Sequence, residues 1–178
     1  MDLRARFLGH LAHVREPLTA YVRGLLWNPS DLPDALQSAF LVAFRKFGAF
    51  EEGTDFRAWI FRIATLTVFG MNRKAGTPLP IPEEVPAEVE LDREYAYDEI
   101  LRDPDRLLQS FDDDVRRAVL ALTEPERAAL LLVSVGGFRC REAADILDMP
   151  IGSVMGYVGR ARGMLRERLA VFARGWMG

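Results

Sequence analysis

Of 178 residues only one is a cysteine, Cys140, and only two are histidines, His10 and His13. A lone thiol excludes a disulfide framework and any zinc site built on paired thiolates. Two histidines leave metal chemistry almost nothing to bind with, so neither a metal nor a cofactor is expected. Apolar runs are short; Ala128 to Val133 is among the longest, far below the ~20 residues a helix needs to cross a bilayer. The stretch from Met1 to His13 interleaves Arg4 and Arg6 with Leu and Phe, which is not the pattern of a signal peptide. Also missing are a glycine-rich phosphate loop, a nucleophile–base pairing and a carboxylate pair at useful spacing, so no enzyme and no small-molecule substrate is expected. A reducing, cytoplasmic protein without membrane insertion is the expectation. Apolar residues are not scarce: at 49% they exclude a wholly disordered chain, and the length allows one ordinary domain or two small ones.

The net charge of −3 hides a division along the chain. Residues 1–74 carry ten basic and seven acidic side chains, residues 75–114 three and thirteen, and residues 115–178 ten and six. Two mildly basic modules therefore flank an acidic stretch. Basic modules suit an anionic partner such as nucleic acid, and the acidic stretch would be repelled by one. Pro78, Pro80 and Pro82 cannot continue a helix, and the glutamates that follow, Glu83 to Glu94, repel one another. A boundary is expected near residue 75, with a second module from about residue 112.

In the first module, Asp31 to Phe47 reads as a helix with Leu36, Phe40, Phe44 and Phe47 as its buried stripe. A neighbouring stripe, Asp34, Gln37, Leu41 and Arg45, is either a solvated face or a docking surface. After a polar loop, Thr54 or Asp55 can cap a second helix. Phe56, Trp59, Ile60, Ile63 and Thr67 line one of its faces; Arg62, Thr65, Phe69, Asn72 and Arg73 line another, with Lys74 beside them. Aromatic rings among cations and amides suit single-stranded nucleic acid, because bases stack while phosphates are neutralised. Phe56 and Trp59 suit core packing equally well.

The second module opens on a capping box, Thr123 with Glu126, and Pro125 in the first turn. The apolar helix that follows stops at Gly136-Gly137. Then Arg141 to Leu147 reads as a short helix, Asp148 to Gly152 as a turn, and Ser153 onward as a longer helix capped by Ser153 or the residue before it. Ala144 lies four residues before Asp148, and Val154 six after it. That spacing is what a helix-turn-helix requires: a small residue where the helices meet, a left-handed turn residue, and an apolar pin on the second helix. The second helix offers Ser153, Tyr157, Arg160 and Arg162 outward, where such helices meet base edges. A plain helical hairpin with a basic face would look similar. Cys140 falls in the short first helix and reads as a packing thiol rather than a redox sensor.

Taken together, the modules resemble the extracytoplasmic-function (ECF) group of the sigma-70 family of bacterial RNA polymerase sigma factors. The resemblance is carried by Asp31 to Phe40, Phe50 to Ala64, Leu122 to Arg127, Glu142 to Leu147, Pro150 to Val154 and Arg160 to Arg162, and covers about residues 15–74 and 112–170. It implies an all-α fold of two small helical domains: a sigma region 2 bundle over 1–75, an acidic, proline-containing linker over 76–111, and a region 4 helix-turn-helix over 112–178. It implies that Asp34, Gln37, Leu41 and Arg45 dock on the β′ clamp helices of core RNA polymerase, with the β flap as a further contact. By the same resemblance Phe50, Arg62, Thr65, Leu66, Phe69, Asn72, Arg73 and Lys74 would capture and melt the −10 promoter element. Arg141, Ser153, Met155, Tyr157, Arg160 and Arg162 would read the −35 element. Relatives usually carry a polar residue in place of Leu66, a denser basic cluster around residues 70–76, and Ser then Arg in place of Gly156 and Tyr157.

The function so implied is a sigma factor that directs promoter recognition, DNA melting and initiation, held in check by an anti-sigma factor. The alternative is a sigma-like interaction protein that sequesters an anti-sigma factor without initiating transcription. A plain helix-turn-helix repressor would leave the first module unexplained. Opposite charges on the acidic stretch and the modules favour a compact, self-masked free protein.

Overall fold

Side-chain caps and turn residues cut the chain into helices, and a computed structural model describes residues 2–76 and 113–175. Helix α1 (Leu3–Ala12) starts where the Asp2 carboxylate accepts from the Arg4 backbone N–H. Helix α2 (Arg15–Leu25) follows, then a short 3₁₀ turn (Pro29–Asp31) opened by Asn28, and α3 (Leu32–Phe47). Helix α4 (Phe56–Lys74) is capped by Asp55, which accepts from the Ala58 N–H at 3.1 Å. Thr54, the other candidate cap, instead donates its hydroxyl to the Glu51 carbonyl inside the loop.

On α3 the buried stripe differs from the expected one. Ala35, Ala39, Ala43 and Phe47 are buried, whereas Leu36 and Phe40 are only partly so and Phe44 is exposed. Small alanines let α3 lie close against α4, and the large residues one position later are turned to the edge of that contact.

The second module comprises α5 (Asp113–Leu120), α6 (Glu124–Ser134), α7 (Cys140–Leu147) and α8 (Ile151–Gly175). The box at the start of α6 forms: Glu126 Oε2 accepts from both the Thr123 backbone N–H and its hydroxyl, at 3.1 and 2.8 Å. Gly137 takes φ 67° in the bend after α6. Asp148 takes φ 54° between α7 and α8, the one non-glycine residue with positive φ among those described. Ala144 and Val154 are buried on either side of it, so the helix-turn-helix has the expected geometry. Helix α8 begins earlier than expected, because the Pro150 carbonyl already accepts from the Ser153 and Val154 N–H groups. Ser153 therefore sits inside the first turn and is not its cap.

The two modules pack against each other, α2 and α4 on one side and α6 and α7 on the other. One continuous hydrophobic core runs from Phe7 in α1 to Val158 in α8. At its centre the Phe61 ring meets the Phe138 ring edge-on, centroids 5.0 Å apart, and the Arg57 guanidinium lies 4.2 Å from the centroid of the same Phe138 ring. Gly24 permits the approach of α2 to α6: a Cβ there would lie 3.0 Å from Leu131 Cδ1. A smaller core joins α5 to α8 through Val119, Leu122, Leu130 and Leu165. The expected acidic linker, apart from Gly76, lies outside the described residues.

Candidate nucleic-acid interface

The first turns of α8 are the part of the helix-turn-helix best placed to meet a ligand. Val154, Val158, Ala161 and Leu165 are buried and fix the inward side of the helix. At helical spacing the opposite side is then Gly152, Gly156, Gly159 and Gly163, and an added Cβ at 152, 159 or 163 would meet nothing within 4 Å. Two flanks border this bare strip. Ile151, Met155 and Arg162 follow one another at four- and seven-residue intervals on one flank; Ser153, Tyr157 and Arg160 share the other. Ser153 and Met155 are exposed, Tyr157 and Arg162 half-buried, and Arg141 on α7 exposed.

Arg160 is more constrained than an open basic face would be. Its Nε donates to Glu126 Oε1 at 3.0 Å, and its guanidinium lies 5.0 Å from the Tyr157 ring centroid. Half of the side chain remains exposed, so its terminal nitrogens stay available while Nε ties α8 to the capping box of α6.

The expected −10 residues divide into three groups. Leu66, Arg73 and Lys74 are exposed and Phe69 is half-buried, forming an outward stretch of α4. Phe50 is half-buried in an aromatic cluster, stacked on Phe47 at 5.6 Å and tilted against Trp59 at 5.1 Å. Arg62 is exposed yet engaged with the helix-turn-helix: Nη1 donates to the Asp145 carbonyl at 2.9 Å, and Nη2 lies 4.0 Å from the Asp148 carboxylate.

Thr65 and Asn72 depart from the expectation, because both are buried. The Thr65 hydroxyl donates to the Phe61 carbonyl and accepts from the Tyr21 hydroxyl, both at 2.7 Å. Burial pushes the Tyr21 phenol well above its ordinary value, against the lowering effect of that Thr65 bond. The Asn72 amide donates to the Leu25 carbonyl and to Glu124 Oε1, at 3.2 and 3.0 Å, and its oxygen accepts from the Trp27 N–H at 3.3 Å. The physical reason is that α4 is sandwiched between α2 and the second module. Thr65 is covered by α2 within the first module, and Asn72 by the chain at the end of α2 together with Glu124 of the second module.

On α3, Asp34, Gln37, Leu41 and Arg45 are all exposed and form one row. Gln37 and Leu41 border an apolar groove of about 660 Å³ between α1 and α3, lined further by Phe7, Leu8, Phe40 and Phe44, with Arg4 and Arg15 among its walls. The large residues excluded from the α3–α4 contact are what make this groove.

One functional candidate escaped the sequence reasoning. Arg127 is fully buried where the modules meet, and its three guanidinium nitrogens have no hydrogen-bond partner among the described residues. It lies 4.6 Å from the Trp27 ring centroid. Burial pushes its guanidinium down to about 10, against the attraction of Glu124 and Tyr21. In the sequence, an arginine at the head of an apolar helix reads as a solvated cation, and no local signal marks it as buried. Among the described residues no group of His, Cys, Asp and Glu could hold a metal, and no helix is long and apolar enough to cross a membrane.

Residues 11–76 match the family description "Sigma-70 region 2", and residues 112–165 match "Sigma-70, region 4". The chain is similar to the ECF RNA polymerase sigma-E factor of Haemophilus influenzae, 27% identical over 85% of this chain and 79% of that protein. It is 28% identical to the factor of the same name in Escherichia coli K12, over 81% of this chain and 76% of that protein. Among solved structures, the fold is similar to the sigma factor RpoE of Bartonella quintana, solved in complex with the anti-sigma factor NepR. There the TM-score is 0.70 at 24% identity, over 93% of this chain and 98% of that one. CnrH, solved with the cytosolic domain of CnrY, gives a TM-score of 0.67 at 22% identity, over 94% and 90%.

Proposed function

Because this chain belongs to the ECF group of the sigma-70 family, we propose that it binds core RNA polymerase and directs promoter recognition, DNA melting and initiation of transcription. The observation that carries this reading is the occurrence, in order, of both family regions in one chain, each with its expected surface open to solvent: the Asp34–Arg45 row on α3 and the outward side of α8. The chain is a transcription initiation factor, and its work is done by binding rather than by bond-making.

In this reading residues 1–75 dock on the polymerase and capture the −10 element, residues 112–178 read the −35 element, and residues 76–111 connect them. The α3 row meets the β′ clamp helices. Helix α8 enters the major groove by its N-terminal turns, where Ser153 and Met155 are exposed and Arg141 stands on the preceding helix. Leu66, Phe69, Arg73 and Lys74 on α4, with Phe50, receive the opened −10 strand, rings stacking on bases and cations neutralising phosphates. Arg62 joins them only after leaving the Asp145 carbonyl. An anti-sigma factor is the proposed regulator, and the cytoplasm the proposed compartment.

Run-off transcription with core RNA polymerase and this protein on genomic fragments tests the reading. Initiation at defined start sites, weakened by Gln37→Ala, is expected. Binding to an anti-sigma factor with neither binding to the polymerase nor initiation at any fragment would overturn it in favour of a sigma-like decoy.

A further inference from the structure

Two large apolar side chains stand in solvent at the start of α8. Ile151 is 43% and Met155 59% exposed. They lie one helical turn apart on one flank, ahead of the first cation on that flank, Arg162. The neighbouring positions 152 and 156 are glycines, so no side chain beside them keeps the helix from a close approach. On the other flank Ser153 offers a hydroxyl, and Arg160 is already tied through Nε to Glu126.

Base edges in the major groove present hydrogen-bond donors, hydrogen-bond acceptors and one apolar group, the C5-methyl of thymine. A thioether chain with three rotatable bonds can settle against a methyl group but can form no strong hydrogen bond to a base edge. We propose that Met155, with Ile151 one turn before it, determines specificity by contacting thymine methyl groups on the −35 side of the promoter. The inference rests on the proposed placement of α8 in the major groove. It assigns sequence reading to apolar contact on one flank of the helix, in place of the arginine–guanine pairing that the basic residues of α8 suggest.

The test uses the full chain with core RNA polymerase to select duplexes from a pool randomised upstream of the −10 side. Each thymine of the selected duplex is then replaced by deoxyuridine, which removes the methyl and keeps every hydrogen-bonding group. One or two such replacements are expected to weaken wild-type binding by about fourfold each, the equivalent of one buried methylene. Met155→Ala is expected to bind more weakly and to become indifferent to one of these replacements, whereas Met155→Leu keeps the discrimination. The salt dependence is expected to stay unchanged in both variants, because no phosphate contact is lost. Since Met155 is exposed, unchanged melting temperatures would show that the variants fold. Equal sensitivity to deoxyuridine in wild type and Met155→Ala, or none in either, would overturn the inference and leave the proposed function standing. Failure to select any duplex would overturn both.

Discussion

Arg127 is the residue whose situation is least comfortable. A charged guanidinium without hydrogen-bond partners among the described residues lies against Trp27, stabilised by the ring and by nearby Glu124. Replacing a buried charge by an apolar group of similar length is often neutral or stabilising, so Arg127→Met is expected to raise stability by about 1 kcal/mol, measured by urea unfolding. The pH dependence has a defined sign. A base with a lowered folded pKa disfavours folding while charged; that penalty is full below about pH 10 and lifts as pH climbs from there toward the ordinary arginine range. Tyr21 acts oppositely, since its raised pKa lets the unfolded chain ionise first above pH 10. Unfolding curves above pH 10 should therefore fall more steeply for Arg127→Met than for wild type, by about 1.4 kcal/mol per pH unit. Asp148 is a second residue set by backbone geometry. With φ at 54°, Asp148→Gly is expected to be neutral or slightly stabilising, and Asp148→Val to cost about 1–2 kcal/mol in the same assay.

At the scale of the element, turn and cap chemistry was legible because it is local. Thr123 and Glu126 bond each other across three residues, and Asp148 takes the left-handed turn that Ala144 and Val154 demand. The α3 stripe was misread because periodicity favours bulk: Leu36, Phe40 and Phe44 outrank Ala35, Ala39 and Ala43 on any hydrophobic scale, yet close helix contact selects the alanines. Thr65 and Asn72 were misread for a different reason. What covers them lies far away in sequence: Tyr21, 44 residues earlier, and Glu124, 52 residues later. The Arg160–Glu126 bond spans 34 residues and was equally invisible from spacing. It predicts that Arg160→Ala loses stability as well as DNA affinity. Arg160→Gln, whose amide can still donate to Glu126, should regain most of the stability and little of the affinity, which separate thermal melts and duplex titrations would show.

At the scale of the whole molecule, both modules share one hydrophobic core, whereas the acidic stretch on whose charge the expectation of a self-masked protein rests lies outside the described residues. One close point of the contact between the modules is Gly24 against Leu131. Gly24→Val is therefore expected to wedge α2 from α6 while leaving each module folded. Small-angle scattering should show a larger radius of gyration with unchanged helical circular dichroism. An unchanged radius would mean that Leu131 gives way and the contact persists.

The closed arrangement treats its two proposed DNA-reading surfaces unequally. The outer side of α8 is uncovered, whereas Arg62 of α4 is held by the turn between α7 and α8. That asymmetry translates into a sequence of events in time. Contact upstream, at the −35 side, can form at once, whereas a full grip on the −10 strand has to wait until the modules part. Time-resolved footprinting should accordingly show upstream protection first, and Gly24→Val should shorten the interval before the second footprint appears.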